Sequence, residues 1–163
     1  VKLRSASRGI TLLELMIVLA LVGLMVGLTF STAGAGLDAI RLRSAADSVA
    51  ALLSRSLNRV ERAQEPVEIL FNRDTGAISA RGLTPLWKQD LKLPEGVVLA
   101  SILPAPPGEE PIERSVFLLP GAASPGIAVE LANRRGQRRR VRIDPVVGTP
   151  HVEAPLQVEG EVR

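Results

Sequence analysis

The chain has 163 residues, 46% of them hydrophobic and only 2% aromatic, enough for one modest folded domain and one apolar segment. It has no cysteine, which excludes disulfide staples, thiolate metal sites and cysteine nucleophiles, so any exported part must hold together by packing alone. The formal charge is +3 at pH 7, but Lys2, Arg4 and Arg8 all lie in the first nine positions; without them the basic residues equal the 17 acidic ones, and the positive balance belongs to that N-terminal stretch.

Ile10 to Phe30 reads ITLLELMIVLALVGLMVGLTF, a run whose only charge is Glu14. As a helix it would extend roughly 31 Å at 1.5 Å per residue, enough to cross a bilayer. The preceding VKLRSASRG carries three positive charges and no negative one, so the positive-inside tendency keeps it cytoplasmic and sends the rest outward. Three readings compete: an ordinary anchor, a secretory signal peptide ending at Ala33-Gly34-Ala35, and a prepilin signal. The apolar run exceeds the roughly 7 to 15 residues usual for a signal peptide, and a carboxylate sits near its start.

Glu14 decides between them. An ionisable side chain in a membrane helix costs on the order of 2.5 to 3.5 kcal/mol on insertion scales. Lying near the helix end, it could simply reach the headgroups. Cleavage after Gly9 would instead create a free amine on Ile10, four residues away, and the carboxylate of one subunit could pair with that amine on a neighbour, offsetting the burial of both.

Arg8-Gly9-Ile10-Thr11-Leu12-Leu13-Glu14-Leu15 resembles the prepilin signature of type IV pilins and type II secretion pseudopilins. That family has a basic leader ending in Gly, a hydrophobic first mature residue and Glu at the fifth mature position. The resemblance implies that the prepilin peptidase recognises Gly9, that Ile10 becomes the N-methylated first residue, and that Glu14 pairs with a neighbour's N-terminus during assembly. Ile10 stands where the family usually has Phe. Many major pilins also carry a proline in this helix, whereas here none precedes Pro66. Gly23 and Gly27 could loosen the helix in its place, and their four-residue spacing makes a small face suited to close helix packing in lipid. Glycine is also simply common in membrane helices.

After the small residues Ser31 to Gly36, Leu42, Ala46, Val49, Leu53, Leu57 and Val60 recur at spacings of four and three. Arg41, Asp47, Arg55, Asn58, Arg59 and Arg62 fall largely on other faces, so an amphipathic helix ending at Pro66 is expected to lay one side on a sheet. From Pro66 the period shifts to two. Val67, Ile69 and Phe71 alternate, Arg73 to Gly76 is a turn, and Ala77 to Arg81 returns. Further strands are expected at Val97 to Leu103, Ser115 to Leu119, Ile127 to Leu131, Arg139 to Ile143 and near His151. Pro104 to Pro111 is an expected exposed loop.

The predicted fold is therefore α+β and pilin-like. A long N-terminal helix, membrane-embedded in its first half and amphipathic in its second, packs on an antiparallel β-sheet head. The predicted boundaries are a leader at 1–9, a transmembrane and filament-core helix at 10–30, its amphipathic continuation at 31–65, and a β-rich periplasmic head at 66–163.

A looser similarity spans most of the head: Pro66-Val67-Glu68-Ile69, Trp87, Leu93-Pro94-Glu95-Gly96-Val97, Val116-Phe117-Leu118-Leu119-Pro120-Gly121 with Ser124 and Gly126, and Ile143-Asp144-Pro145-Val146-Val147-Gly148. These pieces resemble the H-type minor pseudopilins (GspH) and the related FimT minor pilins. The closing segment often has Thr-Gly where this chain has Val147-Gly148.

No catalytic constellation stands out. His151 is the only histidine, and there is no Gly-rich phosphate loop or paired-carboxylate motif, so no enzymatic activity, cofactor or metal is expected. Arg134, Arg135, Arg138, Arg139, Arg140 and Arg142 crowd a turn at Asn133 to Gln137. Such a cluster could neutralise phosphates, meet an acidic surface of a partner pseudopilin, or be a solvated hairpin tip whose charge guards a strand edge. No aromatic residue lies within it to stack on bases. Some FimT proteins bind DNA through a basic C-terminal region, but its Gly-Arg-x-Arg pattern is not reproduced, Gly136 being followed by Gln137.

The similarity thus implies a minor pseudopilin of a type II secretion system, near the tip of a periplasmic pseudopilus, with a FimT-like minor pilin acting in DNA uptake as the alternative. Expected partners are other pseudopilins, major and minor, through the N-terminal helix, the prepilin peptidase and methylase, and the inner membrane, crossed once with the head periplasmic. Nucleic acid stays a candidate partner through the FimT resemblance alone.

Overall fold

The computed structural model of the protein describes residues 11–83, 87–108, 111–123 and 125–153, with the side chains of 28–35 outside that description. Helix α1, Leu12–Ala63, is 52 residues long. No proline interrupts it, and Leu, Ala, Arg and Met supply most of its positions. It stops at Gln64, whose φ of 52° is left-handed, two residues before Pro66. There the Gln64 N–H still donates to the Val60 carbonyl (2.9 Å) and its side-chain amide to the Glu61 carbonyl (2.8 Å), so carbonyls of the last turn keep partners.

The chain divides into two compact units, Val1–Leu37 and Asp38–Arg163. In the first, large apolar side chains between Leu12 and Val26 are all exposed, from 50% for Val22 and Val26 to 79% for Leu12. An apolar surface of this extent needs lipid or other helices around it.

In the second unit the expected helical stripe is buried: Leu42, Ala46, Val49, Leu53 and Val60 are at most 2% exposed, and Leu57 packs half-buried against them. Ala45, Leu52 and Ser56 widen the stripe. The Ser56 hydroxyl donates to the Leu52 carbonyl one turn back (2.9 Å), which removes the cost of burying it.

Among the described residues eight strands follow: β1 (Val67–Asn72), β2 (Ala77–Gly82), β3 (Lys88–Lys92), β4 (Val97–Leu103), β5 (Glu113–Leu118), β6 (Ala128–Asn133), β7 (Arg138–Ile143) and β8 (Pro150–Val152). They form two antiparallel sheets, ordered β3-β2-β1-β5 and β4-β6-β7-β8. The sequence led to an antiparallel head but not to its division into two sheets. Nor did it lead to β3, because Lys88, Asp90 and Lys92 give that edge strand a polar outer face.

Register puts alternate residues inward. In the first sheet Ile69 lies opposite Val116 and Ala80, and Phe71 opposite Ile78. In the second, Leu99 faces Leu131 and Val129 faces Val141. A bulge between Leu99 and Ser101 restores the phase, so that Ile102 is buried on the same side as Leu99. One core cluster takes in residues of α1 and of both sheets. Two arginines close the outer edge of β4: Arg73, in the β1–β2 turn, donates to the Ala100 carbonyl (3.1 Å), and Arg114, on β5, to the Ile102 carbonyl (2.6 Å). Pro104 to Gly108 carries no strand, in keeping with the expected loop.

Candidate functional site

Two places carry the sequence-predicted functional residues: the start of α1 and the β6–β7 hairpin. Gly9 and Ile10 lie outside the described residues. The helix begins on Thr11, whose hydroxyl accepts from the Glu14 N–H (3.2 Å) while its carbonyl accepts from the Leu15 N–H (3.2 Å). Thr11-Leu12-Leu13-Glu14 has the composition of a capping box, and Glu14 occupies the first turn, where the helix dipole favours an acid. From the sequence Glu14 is a membrane charge that pairs with a neighbour's N-terminus; the T-x-x-E spacing was the available signal for its further place at the helix start. Gly23 and Gly27, one turn apart, have nothing within 4 Å of the position a Cβ would take, so that strip of helix is open.

The hairpin is built on Asn133, which is 5% exposed. Its Oδ1 accepts from the Arg135 and Gln137 N–H groups (3.1 and 3.0 Å), and its Nδ2 donates to Gln137 Oε1 (2.8 Å). The Gly136 N–H donates to the Asn133 carbonyl (3.0 Å), and Gly136 has a φ of 78°. This is a three-residue loop with glycine at its left-handed position, and it fans the arginines outward.

Most of those arginines meet carboxylates of the same chain. Arg134 pairs with Glu95 (2.8 Å), Arg135 with Asp38 (3.3 Å), and Arg138 with Glu130 (3.7 Å). Arg140 pairs with Glu130 (2.6 Å) and Glu153 (3.5 Å). Arg139, opposite Leu131 and half-buried, and the exposed Arg142 make no ion pair among the described residues.

Glu130 is the centre of this arrangement at 6% exposure. Its carboxylate accepts from Arg140 Nη2 and Nε (2.6 and 3.0 Å) and from the Ser101 hydroxyl (2.9 Å). Burial alone would raise its pKa; the Arg140 and Ser101 hydrogen bonds and the charges of Arg140 and Arg138 outweigh that and hold it below the usual carboxylate range. The hydrogen bond to Glu130 likewise holds Arg140 above its ordinary value. Asp144 is also held low, by hydrogen bonds from the Val147 and Val146 N–H groups in the β7–β8 turn. His151 is exposed on β8 opposite Arg142. Among the described residues no group of three or more His, Asp or Glu side chains could hold a metal.

A family model described as the prokaryotic N-terminal methylation motif matches residues 4–30. That segment holds Gly9, Ile10 and Glu14 in the order the prepilin resemblance requires. The N-terminal segment of the chain thus carries a prokaryotic N-terminal methylation motif. No curated protein and no solved structure matches the chain significantly.

The side chains of this segment are described from Thr11 to Gly27, and description resumes at Gly36. Among the described residues no helix is long and apolar enough to cross a membrane; the apolar sequence reaches a span of about 20 residues only when followed through Phe30.

Proposed function

We propose that the protein is an H-type minor pseudopilin of a type II secretion system, a structural and assembly subunit near the tip of a periplasmic pseudopilus. The observation that supports the pilin-like class is the methylation motif at residues 4–30. The looser likeness of the head to GspH supports the subfamily. In this reading residues 1–9 are a cytoplasmic leader, 10–30 the membrane and filament-core helix, 31–65 its continuation and 66–163 the periplasmic head. The subunit crosses the inner membrane once. Prepilin peptidase cleaves after Gly9 and Ile10 is methylated. Glu14 pairs with the amine of a neighbouring pseudopilin, and Gly23 and Gly27 allow close approach of a second helix. The in-chain pairing of Arg134, Arg135, Arg138 and Arg140 counts against phosphate binding by that cluster, because it leaves few of its cations without a carboxylate.

Glu14 has a structural role at the helix start as well, and the test must separate the two. Thr11→Ala removes the cap, at a cost of about 1 kcal/mol, but leaves the carboxylate. Glu14→Ala removes the carboxylate. In cells expressing the rest of the secretion system, Glu14→Ala is expected to abolish incorporation into the pseudopilus and Thr11→Ala to leave it largely intact. Equal loss in both would reduce Glu14 to a capping residue, and normal secretion by Glu14→Ala would remove the pairing role.

A further inference from the structure

With most of the hairpin arginines neutralised, uncompensated positive charge concentrates on α1. Arg55, Arg59 and Arg62 follow one another at spacings of four and three and share one helix face. With Asn58 they form one wall of an open groove of about 330 Å³ whose other wall is Trp87 and Gln89, just before and within β3. Among the described residues only Arg59 has an acidic partner there, Glu65 at 2.6 Å. Arg55 donates to the neutral amide oxygen of Gln89 (2.8 Å), and the exposed Arg62 makes no ion pair or hydrogen bond among the described residues. A row of like charges on one helix face opposes folding. Arg62, in the last turn, suits the helix C-terminus, but Arg55 lies two turns inside and has no such compensation.

We infer that this groove docks an acidic segment of an adjacent filament subunit, whose carboxylates pair with Arg55 and Arg62 beside Trp87. The identity of the partner rests on the function proposed above; the chemistry of the groove does not. Arg55 and Arg62 are roughly 10 Å apart along the helix, within reach of two carboxylates on one extended segment. A nucleic acid fits less well. Trp87 is the one aromatic lining the groove and packs partly into the core, which leaves no succession of rings for bases to stack on.

Trp87 is the only tryptophan of the chain, so its fluorescence reports on the groove directly. The mature full-length protein in detergent micelles is titrated with capped hexaglutamate. The expected result is a saturable change in Trp87 emission, weakened about tenfold by high salt and about tenfold by Arg55→Gln with Arg62→Gln, and unaffected by Arg139→Gln with Arg142→Gln. Arg62→Gln alone breaks no described contact and is expected to retain the fold while weakening binding severalfold. No saturable change, the same loss in both double variants, or tighter binding of a single-stranded oligonucleotide of equal charge would overturn the inference. The N-terminus of the same preparation separates the two readings. A chain starting at Ile10 that does not bind hexaglutamate overturns the groove and leaves the pilin function standing. A binding chain that cells expressing prepilin peptidase leave uncleaved overturns the assignment of the partner to a filament subunit.

Discussion

Glu130 shows how a charged residue becomes structural. Its carboxylate is almost completely removed from water, yet Arg140, Ser101 and Arg138 surround it. Glu130→Gln keeps the shape and removes the charge, and is expected to cost about 2 to 3 kcal/mol at neutral pH, read from the urea midpoint. A carboxyl held low in the folded state stabilises the fold above its ordinary pKa, and that contribution is lost as pH falls through the depressed folded value. The gap between wild type and Glu130→Gln should therefore be widest near pH 7 and close as pH falls below the ordinary carboxylate range; a gap that stays constant would show that the charge is not its cause. Gly136 is constrained differently, through its φ of 78°. Gly136→Ala should lower stability by about 1 to 2 kcal/mol in thermal unfolding, even though nothing lies within 4 Å of the added methyl. The arginines around it were legible as a cluster, but their partners were not. Asp38 and Glu95 are far away in sequence, and only the fold brings them to Arg135 and Arg134.

At the level of elements, α1 was readable because its buried face repeats at helical spacing, and β1, β2, β4 and β7 because apolar residues alternate or a turn signal flanks them. β3 escaped because an edge strand needs only one apolar face: Leu91 packs on the core while its neighbours Asp90 and Lys92 are exposed. The split into two sheets had no local signature, since pairing partners are set by long-range register and by the bulge at Leu99 and Ser101. Leu53→Ala, in the centre of the buried helix face, should cost about 3 kcal/mol with little change in the denaturant slope. Arg114→Met leaves the Ile102 carbonyl without its donor and should cost about 1 to 3 kcal/mol, with faster amide exchange at β4 and β5. Exchange that is unchanged there would mean that the edge is held by other contacts.

For the whole molecule, the decisive region is the N-terminal one, where sequence says more than structure. The apolar run, the basic stretch before it and the lone Glu14 follow from membrane physics without tertiary context, and the methylation motif covers the same residues, 4–30. The exposed surface from Leu12 to Val26 is what such a segment presents when neither lipid nor neighbouring subunits surround it. Charge had to be read by location: the net +3 disappears with the first nine residues, and the arginine cluster that drew attention to nucleic acid is largely occupied by acids of its own chain. The most direct measurement is the N-terminal mass of the membrane-extracted protein from cells with and without prepilin peptidase. The account predicts a peptidase-dependent start at Ile10, carrying one methyl group; an intact leader in both, or a start near Gly36, would contradict it.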